Sequence, residues 1–145
     1  MKKWLLSIIA LCCLVSLSGC TSAPAESEEK INITVFTVST CSNCKAFKEY
    51  AIPALENEFG DQLVLTLKDL DDDENGALYD EITSQLVDYD TVYSRMVPFI
   101  VVEDYFAVLA YNKGEETALI SDIKAARDGK PLGDTLSNGR WLFKK

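Results

Sequence analysis

Residues 31 to 48 decide the fold: Ile31-Asn32-Ile33-Thr34-Val35-Phe36-Thr37-Val38-Ser39-Thr40-Cys41-Ser42-Asn43-Cys44-Lys45-Ala46-Phe47-Lys48. Ile31, Ile33, Val35 and Thr37 alternate with Asn32, Thr34, Phe36 and Val38. A period of two, β-branched on one side and largely apolar on both, predicts a buried strand. Ser39 to Asn43 reads as a turn. From Cys44 the period changes. Phe47, Ile52, Leu55 and Phe59 share a helical face, and Gly60 suits the position just past the end. Pro53 lies inside that helix and predicts a kink or a break.

Two cysteines therefore sit where a strand becomes a helix. Residues three apart on a first helical turn are neighbours. Their Cα separation falls within the roughly 4.4–6.8 Å that a disulfide needs. Cys41, at the helix start, meets unpaired N–H groups and the positive end of the helix dipole, which favour a thiolate. Cys44 lies one turn further in, nearer the core. That places Cys41 as the nucleophile in thiol–disulfide exchange and Cys44 as the thiol that resolves the mixed disulfide. The competing readings are a static disulfide or half of a metal site. A zinc site wants four ligands, and the chain has no His and, beyond Cys12 and Cys13 of the expected leader, no second cysteine pair, so a shared site would need a second copy.

Working outward, Leu63 to Leu67 reads as a second strand and Ala77 to Leu86 as a helix, on the spacing of Leu78, Ile82 and Leu86. Phe99 to Val102 and Tyr105 to Tyr111 read as a hairpin about Glu103-Asp104. Glu115 to Arg127 is a helix with acids in its first turn, Lys124 and Arg127 near its end and Gly129 beyond. In the tail, Lys130 to Lys145, Trp141-Leu142-Phe143 reads as a short edge strand. The order is βαβ, helix, ββα, an α/β domain over residues 31–145. Its first two strands should be parallel with a right-handed crossover.

With Val97-Pro98 opening the ββα half, this arrangement resembles the thioredoxin superfamily over roughly Ile31 to Asp128. The resemblance implies a thioredoxin-like fold with a central mixed four-stranded sheet and flanking helices. It implies a cis-proline at Pro98 that, with Val97, faces the cysteines and holds extended substrate backbone; X–Pro bonds alone adopt cis at small cost. It also implies disulfide oxidoreductase activity on protein thiols and disulfides, with an upstream redox partner to reset the pair and no cofactor. The sequence departs from the family in three ways. Thr40-Cys41-Ser42-Asn43-Cys44 stands where thioredoxin has Trp-Cys-Gly-Pro-Cys, Val35 where thioredoxin has a buried acid, and Asn43 where the oxidising DsbA type has His. Val before the cis-proline points the other way, so the direction of electron flow is not legible. The stretch between Cys44 and Pro98 is longer than in thioredoxin, around Asp71 to Arg95.

The first residues read as an address. Lys2 and Lys3 precede an apolar run from Trp4 to Leu17, shorter than the roughly 20 residues of a membrane span and suited to a secretory signal. Leu17-Ser18-Gly19-Cys20 resembles the lipobox of bacterial lipoproteins. That resemblance implies a signal peptide over 1–19, lipid on Cys20 and a membrane anchor in the cell envelope, an oxidising setting where disulfides persist. Residues 21–30 are small, polar and charged, a tether spanning about 17 Å.

Composition narrows the rest. Of 145 residues, 14 are Lys or Arg and 23 Asp or Glu, for a net charge of -9, and removing Lys2 and Lys3 leaves the remainder more acidic. That balance argues against nucleic acid as a partner and against broad docking on anionic lipid. The absence of His rules out Ser-His-Asp and Cys-His catalysis from this chain alone. Asp71, Asp73, Asn75 and Gly76 match the first positions of a calcium loop, but its closing Glu is replaced by Ile82, so the run reads as an acidic loop capping the next helix. Tyr89, Tyr93, Phe99, Tyr105 and Phe106 read as core rather than groove. Arg95 and Met96 fall beside the cysteines, Arg95 either stabilising a thiolate or paired with an acid. A monomer is expected. The alternative function is an accessory lipoprotein that binds a client and whose disulfide is structural.

Overall fold

The computed structural model describes residues 29–137 and 139–145. The expected signal peptide, Cys20 and residues 21–28 of the expected tether lie outside the described residues. Five strands form one mixed sheet in the order β2-β1-β3-β4-β5: β1 (Ile31–Thr37), β2 (Leu63–Asp69), β3 (Phe99–Val102), β4 (Phe106–Leu109) and β5 (Arg140–Leu142). β1 runs parallel to β2, and every other pairing is antiparallel. The sheet expected from the sequence had four strands. The fifth is the tail: β5 pairs with β4, and Phe143 bridges to Leu86. The edge strand read at Trp141-Leu142-Phe143 is this one, set one residue earlier, at Arg140–Leu142. What holds it is tertiary, the pairing to β4 and a buried ion pair described below.

The alternation in β1 sorts its side chains onto two faces. Ile31, Ile33 and Val35 join Phe47, Leu55, Phe59, Leu119 and Ile123 in one apolar layer. Phe36 joins Tyr79, Leu86, Phe99, Val101 and Trp141 in the other, which is mostly aromatic. Helices cover both faces, so β1 is buried along nearly its whole length.

The first helical segment begins with α1 (Ser42–Ala46), widens into a π-helical turn (Phe47–Ala51) and continues as α2 (Ile52–Phe59). Pro53 neither breaks nor ends it. Proline cannot donate an N–H, and its ring crowds the carbonyl four residues back. The ladder shifts by one residue just upstream, where Ile52 N–H donates to the Phe47 carbonyl. Gly60 closes the helix at φ +49°, where a side chain would be strained.

α3 (Asp73–Ser84) starts earlier than periodicity suggested, because Asp72 caps it: its Oδ1 accepts from the Glu74 N–H at 3.1 Å. Its inner stripe is Gly76, Tyr79 and Thr83, with Leu78 and Ile82 half-buried at the flanks. Leu86 leaves the helix and packs against the tail. α4 (Glu116–Arg127) follows Tyr111, whose hydroxyl donates to Glu116. Of the five aromatics read as core, Phe99 and Phe106 are fully buried, Tyr89 and Tyr105 half-buried, and Tyr93 38% exposed. Among the described residues no helix is long and apolar enough to cross a membrane.

Burial of phenols sets a pH limit. Tyr79, Tyr89 and Tyr111 are each held above the ordinary value of 10.0, first by desolvation. For Tyr79 and Tyr111 a hydrogen bond, to Tyr89 and to Glu116 respectively, adds to the rise. The neutral phenol is favoured in the folded state, so this contribution is whole below the unfolded value and lost as pH rises toward the folded ones. Unfolding free energy measured by denaturant should fall above about pH 10, and Tyr79→Phe should flatten that fall. A profile level through about pH 11 would contradict the assignment.

Candidate functional site

β1 ends at Thr37, and the Cys41 N–H donates to the Val38 carbonyl at 3.3 Å, closing the turn. Cys41 is the cap of α1: its backbone is extended (φ −80°, ψ 114°) and its Sγ accepts from the Cys44 N–H at 3.0 Å. The two cysteines are joined as a disulfide with Cα atoms 5.2 Å apart. Their surroundings differ. Cys44 is 1% exposed, whereas Cys41 is half-buried and followed by exposed Ser42 and Asn43. An incoming sulfur therefore meets Cys41 first. The N–H of Cys44 and the helix N-terminus face the Cys41 sulfur, a placement that suits negative charge there. α1 carries no acidic residue in its first turn, so nothing there opposes that charge.

The topology brings a distant segment to the pair. β1 and β3 are antiparallel with Phe36 opposite Phe99. The chain leaving β1 therefore lies beside the chain entering β3, which is Val97-Pro98. The Val97 carbonyl oxygen is 3.8 Å from the Cys41 Sγ across 56 residues of sequence, and the Val97–Pro98 bond is cis. Val97 is half-buried and Pro98 buried. The structure thus gathers Cys41, Cys44, Val97 and Pro98 at one end of the sheet, while Cys20 lies outside the described residues. Val35, where thioredoxin has an acid, is fully buried in the apolar layer.

Of the two roles open to Arg95, pairing with an acid is the one seen: its guanidinium is 2.8 Å from Asp80 Oδ2 and stacks 5.8 Å from the centre of the Tyr79 ring. Met96 beside it is 48% exposed. Three residues with structural roles escaped the sequence reading. Tyr79 and Asp80 sit on α3 among residues whose stripe was placed one position off. Asp122, buried on α4, lies between Leu119 and Ile123 on the apolar face; a carboxylate there was the available signal. Among the described residues no group of three or more acids or cysteines is arranged to hold a metal ion. In the run read as a calcium-like loop, Asn75 Nδ2 donates to the Asp69 carbonyl at 2.9 Å and Asp72 caps α3.

Comparison with protein-family models, with curated proteins and with solved structures finds no match to this chain. Fold and site define it as a small α/β domain with a mixed five-stranded sheet and a Cys-x-x-Cys disulfide at a helix N-terminus. That description is compatible with a thioredoxin-like fold.

Proposed function

We propose that the chain is an exported, lipid-anchored thiol–disulfide oxidoreductase of the thioredoxin superfamily, acting on protein cysteines through Cys41 and Cys44. The observation that carries this reading is the asymmetry of the pair. One sulfur is accessible at a helix cap beside a backbone carbonyl, and the other is buried behind it. In the reducing direction the Cys41 thiolate attacks one sulfur of a client disulfide, and the client's other sulfur leaves as a thiolate. Cys44 then loses its proton to water and attacks the Cys41 Sγ. The client's second thiolate departs, two electrons have passed to the client, and the protein holds its disulfide. The oxidising direction is the reverse sequence. Val97 and Pro98 present a backbone edge to the client beside the reacting sulfur. Residues 1–19 are the signal peptide, Cys20 carries the lipid, and the bacterial cell envelope is the compartment. An upstream redox partner resets the pair.

The deep burial of Cys44 favours a second reading, a binding lipoprotein whose disulfide only braces the turn. Equilibration in glutathione and dithiothreitol buffers, with the thiol state read by alkylation and the fold by circular dichroism, separates the two. An exchange enzyme reduces reversibly while folded. A potential near about -120 mV marks a disulfide donor and one near about -270 mV a reductant. Reduction only on unfolding would assign the disulfide a structural role.

A further inference from the structure

The loop before Val97 is fastened to α3 by a contact that the exchange chemistry does not require. Arg95 adopts φ +62°, a left-handed backbone that residues other than glycine seldom occupy. Such a conformation persists where surrounding contacts over-determine it. Here they come from one turn of α3. The Arg95 guanidinium donates to Asp80 Oδ2 and lies over the Tyr79 ring. It also rests on Gly76 so closely that a Cβ at that position would overlap it. Gly76 is buried inside a helix, where glycine is otherwise unfavourable, and its use is explained by the guanidinium. A further tie joins the same turn to the same loop, since the Tyr79 hydroxyl donates to the Tyr93 carbonyl at 3.4 Å. The Met96 N–H donates back to that carbonyl at 3.1 Å, so the loop is closed on itself immediately before Val97.

The geometry points to Arg95 as a positioning residue: seated on Gly76, Tyr79 and Asp80, it fixes the loop that holds the Val97 backbone beside Cys41 for an incoming client chain. The inference rests on the exchange reading above. The ion pair alone is too exposed to account for the effect, with half of each side chain in solvent. The seat on Gly76 is what gives the guanidinium a single place. Arg95 does not touch the sulfurs, so its loss acts on client binding and leaves the nucleophile as it was.

The test uses the full chain, reduced beforehand, and a synthetic peptide closed by one disulfide. Arg95→Ala should raise the half-saturating peptide concentration about five- to tenfold, with the maximal rate within about twofold. Gly76→Ala should do the same by unseating the guanidinium. It replaces a helix-interior glycine with the strongest helix former, so its unfolding midpoint should stay at or above that of the parent. It therefore tests the idea even if Arg95→Ala folds poorly. Both variants should keep a Cys41 that iodoacetamide alkylates, showing that the nucleophile itself is intact. Parental half-saturation in both variants, with Cys41→Ser inactive, would overturn the positioning role and leave the exchange reading standing. If the parent chain exchanged no faster than Cys41→Ser, the exchange reading would fall and this inference with it.

Discussion

Cys41→Ser will abolish exchange with a disulfide-bonded client, lowering the rate by at least about a thousandfold, because a serine hydroxyl is neither ionised near neutral pH nor able to form the mixed disulfide. Cys44→Ser will behave differently. The attacking sulfur remains at the helix cap and still opens the client bridge, but nothing behind it completes the second step. The product is a protein–client adduct that survives denaturing electrophoresis and is released by dithiothreitol. Mass spectrometry of adducts from cells carrying Cys44→Ser would identify clients directly. If Cys41→Ser keeps the full effect of the protein and Cys44→Ser traps nothing, the disulfide is a brace and the chain a binding protein.

Arg140→Ala should cost about 3–5 kcal/mol of stability. Asp122 is 3% exposed, and its carboxylate receives Arg140 Nη1 at 2.8 Å and the Gly133 N–H at 2.7 Å. The same Arg140 nitrogen also donates to the Gly133 carbonyl at 2.7 Å. Removing the cation leaves an uncompensated charge under the start of β5. By contrast, the Lys130–Asp128 pair lies in solvent and is screened, so its loss should be hard to detect. The double substitution Asp122→Leu with Arg140→Met should recover most of the loss, since burying an ion pair gains little over apolar groups of similar size. Urea unfolding of Asp122→Leu, of Arg140→Met and of the double forms the cycle that measures this coupling. Equal losses in Arg140→Ala and in the double would show that the charge left on Asp122 is not the cause.

The strand–turn–helix at Cys41 was legible because three local signals coincide there: a two-residue period, a turn and a helical period with a glycine stop. The proximity of Val97 to Cys41 was not available from spacing. It depends on the register of β1 against β3, and entered only through a resemblance. β5 was legible only as a short edge strand outside the four strands the resemblance implied, and for a physical reason as well. Its stability is stored in Asp122 and Arg140, which belong to different elements, and three residues of strand carry no period of their own. α3 shows the same limit on a smaller scale. A Leu–Ile–Leu spacing named one face, while the aromatic layer below selected Tyr79 and turned the helix by about one residue. The seat of Arg95 followed from that turn, and so was hidden with it.

β1 begins at Ile31 and delivers the chain to the reactive turn in a single straight run. Seven residues of strand cover about 23 Å. The molecule therefore has two poles, with its incoming chain at one and its sulfur chemistry at the other. The residues ahead of Ile31 join the domain at the far pole, so a hold on them leaves the Cys41 end free.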